Sequence, residues 1–282
     1  MQVFETPGSV SLRFKLPSGR VVVTTADEPQ TTVELVPLGR RDADALDKVE
    51  ITHEQRGGRH VITVEEKDQF RWGPIRISWG GDVEVRVTCP PGSDLALTGG
   101  STDLHAAGKL GQVDASSASG DIQVEIASKR LQVKTASGDV AIGTIEAGGS
   151  VGTVSGDVEV RRIEDAVTAR SVSGDVRVGS IQAPFQLSTT SGDVELENVE
   201  GGEVRAQSVS GDVRIGVGRG TRVFIDAASV SGTLQSELGV DDFEPPAPEE
   251  DESDDPGDVV PLHVKTVSGD VTIARATPVS AR

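Results

Sequence analysis

The chain has no tyrosine, one cysteine, one methionine and two tryptophans in 282 residues, and aromatic side chains make up only 3% of it. Each scarcity closes off a class of protein. Cys89 cannot form an internal disulfide, so nothing here is built for an oxidising compartment. Basic residues are outnumbered, with 27 Lys and Arg against 45 Asp and Glu, a net charge of -18 and a pI near 4.6. Phosphate binding rests on a surplus of Lys and Arg, so nucleic acid and anionic membrane surfaces are poor partners, while cations or basic proteins fit better. The amino terminus, MQVFETPGSVSLRF, lacks the basic start and apolar core of a secretory signal. No apolar run approaches the ~18 residues of a membrane span. The expectation is a soluble, cytoplasmic chain with no direct membrane insertion.

What the chain has in quantity is glycine, 33 residues of it, and valine, which favour short strands joined by tight turns. It also repeats itself. The phrase Ser-Gly-Asp followed by a branched apolar residue sets a ruler: Ser101, Ser119, Ser137, Ser155, Ser173 and Ser191 stand 18 residues apart, and Ser210, Ser231 and Ser268 continue the series with insertions. Within GDVEVRRIEDAVTARSVS the apolar positions are Val158, Val160, Ile163, Val167, Ala169 and Val172, which divide the unit into two halves of nine. Spacing by two puts Val158 and Val160 on one face of a strand, with Asp157 and Glu159 on the other. Neither half can bury its apolar side alone, but copies stacked in parallel at about 4.8 Å can, with inward Val, Ile and Leu forming continuous columns. The predicted fold is therefore all-β: a single-stranded parallel β-solenoid (β-helix) of 18-residue coils, on the order of 40 Å long, with a small β-rich N-terminal cap region. Val140, Val158, Val176 and Val194 should lie one above the other.

A coil of this length must reverse direction at least twice. Glycine supplies backbone angles closed to other residues, and Ser or Asp side chains can bond neighbouring amides at the bend. Stacked bends place Asp121, Asp139, Asp157, Asp175, Asp193 and Asp212 in a line. One reading is turn chemistry, each carboxylate satisfying local backbone donors. The other is a cation-binding edge, because carboxylates about 5 Å apart repel unless neutralised. One Asp per 18 residues departs from the spacing of nonapeptide calcium solenoids, so calcium binding here would be weak.

These S-G-D-[VI] units resemble the bacterial β-strand-repeat family of unknown function labelled "putative adhesin". The resemblance covers about residues 80 to 275, and VEVRVTCPPGSDLALTGGS looks like that family's entry into its repeats. It implies a solenoid-like fold and a non-catalytic role, often near the cell envelope.

The expected organisation is a β-rich cap over 1–80, solenoid repeats over 81–238, an acidic disordered insertion over 239–258, and a final coil with its tail over 259–282. In the cap, SLRFKL and RVVVTT read as a hairpin around Pro17, Ser18 and Gly19. Further strands are expected at 31 to 36, 49 to 54 and 60 to 65, and one short helix in RRDADALDKV. Trp72 and Trp79 either pack the cap on the first coil or form a partner-binding patch. The insertion carries ten acidic residues and no Lys or Arg between 241 and 258, either a tolerated excursion or a bait for a basic partner. Leu262, Val264 and Val267 then resume the inward pattern.

Chemical motifs are thin. GGSVG at 148 to 152 matches G-x-S-x-G by letter, but a nucleophile elbow needs a strand, the serine and then a helix, which Ser150 lacks. His53, His60, His105 and His263 show no metal-ligand spacing and read as single surface or strand histidines. GVGRGT at 216 to 221 lacks the lysine and spacing of a phosphate loop. Phe185 and Phe224 both fall at inward positions, leaving no exposed aromatic platform for a sugar in the repeats. No catalytic, cofactor-binding or metal-binding residue is assigned and no cofactor is expected. The preferred function is a non-enzymatic scaffold or interaction protein presenting a stiff acidic surface to an unidentified protein partner, with self-association through its carboxyl-terminal coil. The alternatives are an adhesin-like or ligand-binding solenoid at the envelope and a glycan-active β-helix enzyme.

Overall fold

The structure, a computed structural model, describes residues 1–39, 46–67, 83–238 and 259–276. Trp72, Trp79, the acidic insertion and most of the expected short helix lie outside these residues; of that helix, 46–48 form a single 3-10 turn. The strands, in chain order, are β1 (Gln2–Glu5), β2 (Ser11–Thr25), β3 (Gln30–Pro37), β4 (Val49–Arg56), β5 (Arg59–Glu66), β6 (Val83–Cys89), β7 (Asp94–Leu110), β8 (Val113–Ser117), β9 (Ile122–Ala127), β10 (Leu131–Thr135), β11 (Val140–Ile145) and β12 (Gly149–Gly152). They continue as β13 (Val158–Ile163), β14 (Val167–Arg170), β15 (Val176–Ile181), β16 (Phe185–Ser191), β17 (Val194–Val199), β18 (Val204–Ser210), β19 (Val213–Val217), β20 (Arg222–Ser231), β21 (Leu234–Ser236), β22 (Val259–Ser268) and β23 (Val271–Arg275).

Each repeat unit lays down two strands, and each strand pairs in parallel with its counterpart one layer on. Val140, Val158, Val176 and Val194 are successive register partners, each no more than 2% exposed. Their column, with those of Ile142/Val160/Val178/Leu196 and Ile145/Ile163/Ile181/Val199, belongs to one continuous apolar core. Outward positions stack as well: Glu159, Arg177, Glu195 and Arg214 alternate in sign up one column. Arg177 donates from Nε and Nη2 to Oε2 of Glu195 at 2.9 and 2.6 Å, and that bond raises its pKa above the ordinary guanidinium value.

SLRFKL and RVVVTT do not form a hairpin. Both lie in β2, which bends at Pro17–Gly19 and pairs in parallel with β7 on either side of the bend, Leu12 opposite Leu95 and Val21 opposite Leu104. The proline and glycine turn a corner of a coil rather than reversing a strand. Gly19 adopts φ 117°, and a Cβ there would meet the Val83 carbonyl oxygen. The expected strands near 31, 49 and 60 are β3, β4 and β5. A true hairpin joins β4 to β5, with Gly57 and Gly58 both at positive φ, as a two-residue primed turn requires.

The layers are not stacked in chain order at the ends. β2 lies between a layer built of β5 and β6 and the layer of β7. At the other end, β22 pairs with β18 on one side and β20 on the other, and β23 lies between β19 and β21. The chain after the insertion therefore does not add the last coil; it fills a gap beneath residues 222–236. Antiparallel strands cover the β5–β6 layer, with β4 on β5, β3 on β6 and β1 on β3.

Candidate functional site

The repeated corner explains its three letters by contacts between layers. An added Cβ on Gly138, Gly156, Gly174, Gly192, Gly211 or Gly269 would overlap the carbonyl oxygen of the glycine one layer below, so the column exists because backbones pass too closely for any side chain. Backbone angle is a second reason only from Gly174 onward, where φ becomes positive. The buried hydroxyls three residues before these glycines register the change. Ser117, Thr135 and Thr153 accept the N–H of Gly120, Gly138 and Gly156 at 2.9 to 3.1 Å, whereas Thr189 and Ser208 instead donate to the carbonyls of Ser191 and Ser210, and Ser171 Oγ and Thr266 Oγ1 have no partner among the described residues.

The aspartates form a directed ladder. Asp103 Oδ1 accepts the N–H of Asp121, and the same bond repeats through Asp139, Asp157, Asp175, Asp193, Asp212 and Asp270 to the N–H of Thr233, at 2.8 to 3.2 Å throughout. Each carboxylate holds a backbone donor of the next layer rather than of its own turn. Among the described residues no group of three or more His, Cys, Asp or Glu is arranged to hold a metal ion.

The candidate chemical groups separate in space. Ser150 lies on β12, with Gln132 and Thr168 as its register partners, and a further strand, β13, follows it where a nucleophile elbow requires a helix. It lines a shallow depression of about 470 Å³ with Arg130, Gly148, Asp165, Thr168 and Arg170, formed because GGSVG puts almost no side chain on that face. The GVGRGT carbonyls of Gly218 and Thr221 accept from Arg275 Nη1 at 2.8 and 3.1 Å, which makes this loop a clasp for β23. Burial pushes the Cys89 thiol up to about 11, against the smaller opposing effect of Ser93, so it is protonated and enclosed.

Three placements depart from the sequence reading. His53 and His60 are a pair, Nε2 to Nδ1 at 2.9 Å with stacked rings, brought together by the β4–β5 hairpin; the Gly-Gly turn between them was the available signal. Phe224 points outward and is 60% exposed, while Phe185 is buried as expected. Val172 and Val267 are also outward. With Val154, Thr190, Val209 and Val230 they form a column along the corner, the valines being 46 to 83% exposed. The inward positions beside them are taken by the small hydroxyl residues, which is why spacing alone misassigned them.

A family model described as Toastrack DUF4097 matches residues 11–274, nearly the whole chain. The chain belongs to the Toastrack family. No curated protein matches it. Solved structures to which this Toastrack chain is similar include a "putative adhesin" from Bacteroides fragilis NCTC 9343, at 14% identity over 96% of this chain and 95% of that one, with a TM-score of 0.39. A "putative lipid binding protein" from Parabacteroides distasonis ATCC 8503 is similar at 10% identity over 98% and 96%, with a TM-score of 0.41.

Proposed function

We propose that this protein is a non-enzymatic interaction scaffold, a stiff acidic solenoid that presents repeated columns of side chains to a protein partner. The observation that carries the reading is the valine column. A branched side chain in each of these layers, apolar and 46 to 83% exposed at Val154, Val172, Val209, Val267 and Val230 with Thr190 between Val172 and Val209, makes a ridge rather than scattered surface residues, and contiguous exposed apolar surface marks binding sites. Its support is the layered core, which fixes the spacing of the ridge at the inter-strand distance. The proposed location is cytoplasmic.

The test is affinity capture from native cells with the wild-type chain and with V172K/V209K, whose changes lie on the outward side. Proteins recovered by the wild type should be lost from the variant while its melting temperature holds. Identical recovery would overturn the reading, and turnover of a polysaccharide panel above blank would point to an enzyme instead. Cell fractionation tests the location, with recovery in the envelope fraction as the contrary result.

A further inference from the structure

A stack of layers must end in one that lacks a neighbour. Here that layer is β20 with β21: among the described residues β20 pairs only with β22, and β21 only with β23. Its inward residues Val223, Ile225 and Ala227 are only partly buried, although their register partners Val260, Leu262 and Val264 are 7, 0 and 0% exposed. The core is left half-covered at this face.

The direction of the unpaired backbone groups follows from the layers below. In each of them the inward residue gives its N–H to the layer ahead: Val194 to the Asp212 carbonyl at 2.8 Å, Val213 to Asp270 at 2.9 Å and Val271 to Thr233 at 2.9 Å. In the other strand column, Val167 gives to Pro184 and Phe185 to Glu203. The same alternation in β20 aims the N–H and C=O groups of Val223, Ile225 and Ala227 out of the end of the stack. The strand is ten residues long, contains no proline and keeps an unbroken register with β22. Such an edge is a template for another strand.

Among the described residues the opposite end of the molecule offers no parallel match, because β4 and β3 run antiparallel over the layer beneath them. A second copy can instead present the same edge. In antiparallel pairing, residues whose backbone groups point at each other exchange both hydrogen bonds, and those between them bring side chains close. Centring the pairing on Phe224 makes Val223 and Ile225 of each copy hydrogen-bonded partners, brings the two Phe224 rings together on the outward face, and stands Arg222 opposite the partner's Asp226 twice, Asp226 Oδ2 lying 3.2 Å from His263 Nδ1 of its own copy. Centring it on Asp226 would set carboxylate against carboxylate. We propose that two copies of this chain join tail to tail, β20 against β20, about a two-fold axis at Phe224. Each copy then supplies the layer that the other lacks, and the half-covered core closes. This concerns the end of the stack and stands apart from the valine column, so either can fail while the other holds.

The test uses the full chain in analytical ultracentrifugation from about 1 to 100 µM. The expected result is a monomer–dimer equilibrium that D226R or R222D alone weakens by about tenfold or more, since each puts like charges opposite one another across the axis. R222D/D226R, which restores opposite charges, should recover the dimer, and F224K should abolish it. Melting curves confirm that each variant folds. A wild-type chain that stays monomeric at the highest concentration, or a dimer that neither reversal weakens, overturns the proposal.

Discussion

At the level of single residues, the repeated phrase is a set of contacts between neighbouring layers. The position of Asp157 was legible in the sequence, because a fixed 18-residue interval aligns the carboxylates, but its partner was not. Period tells which residues stack; it does not tell whether a carboxylate bonds its own turn or the next one. Val172 and Val267 were misread for a related reason. Inward parity breaks at the corner, where Ser171 and Thr266 take the buried place, and an apolar letter beside a bend carries no information about which side it faces. Because Asp139 Oδ1 receives the Asp157 N–H and Asp157 Oδ1 receives that of Asp175, Asp157→Ala should destabilise the fold by about 1 kcal/mol, discounted for its exposure. Asp157→Asn, which keeps the accepting oxygen, should cost less. Urea denaturation of the two variants checks this; equal losses would mean that the bond contributes little.

At the level of elements, the strands were legible and their order at the ends was not. These layers show their neighbours the same glycine and the same aliphatic columns, and Thr233 in place of the aspartate is the one letter that sets 222–236 apart from 259–275, too little by itself to say which of the two sits on 204–217. Bends elsewhere show how much chain a return needs: β17 ends at Val199 and β18 begins at Val204, so residues 200–203 suffice. Removing residues 241–256 leaves Glu237, Leu238, Gly239, Val240, Gly257 and Asp258 to make the return between β21 and β22, two residues more than that. The shortened chain should keep its stack, with a melting temperature within about 3 °C of the full chain, because closing a shorter loop changes the entropy only slightly. A large fall would show that the insertion has a part in holding β22 in place.

At the level of the whole molecule, the ladder runs from Asp103 to Thr233 along one edge of an acidic chain. One oxygen of each carboxylate already receives a backbone donor from the next layer, so the ladder's hydrogen bonds are made without an ion. Millimolar calcium added to a metal-stripped sample should therefore move the melting temperature by no more than about 1 °C, whereas a rise of several degrees would show that the edge binds cations. The interleaved ends carry a consequence for how the chain is made. Residues 222–236 leave the ribosome before the layer that belongs under them has been synthesised, and 11–25 precede both of the layers that enclose them. Neither end can settle as it emerges. The middle of the stack can assemble while synthesis proceeds, but closure at the far end waits for 259–275 to slide between two layers already present, like the last book pushed into a full shelf.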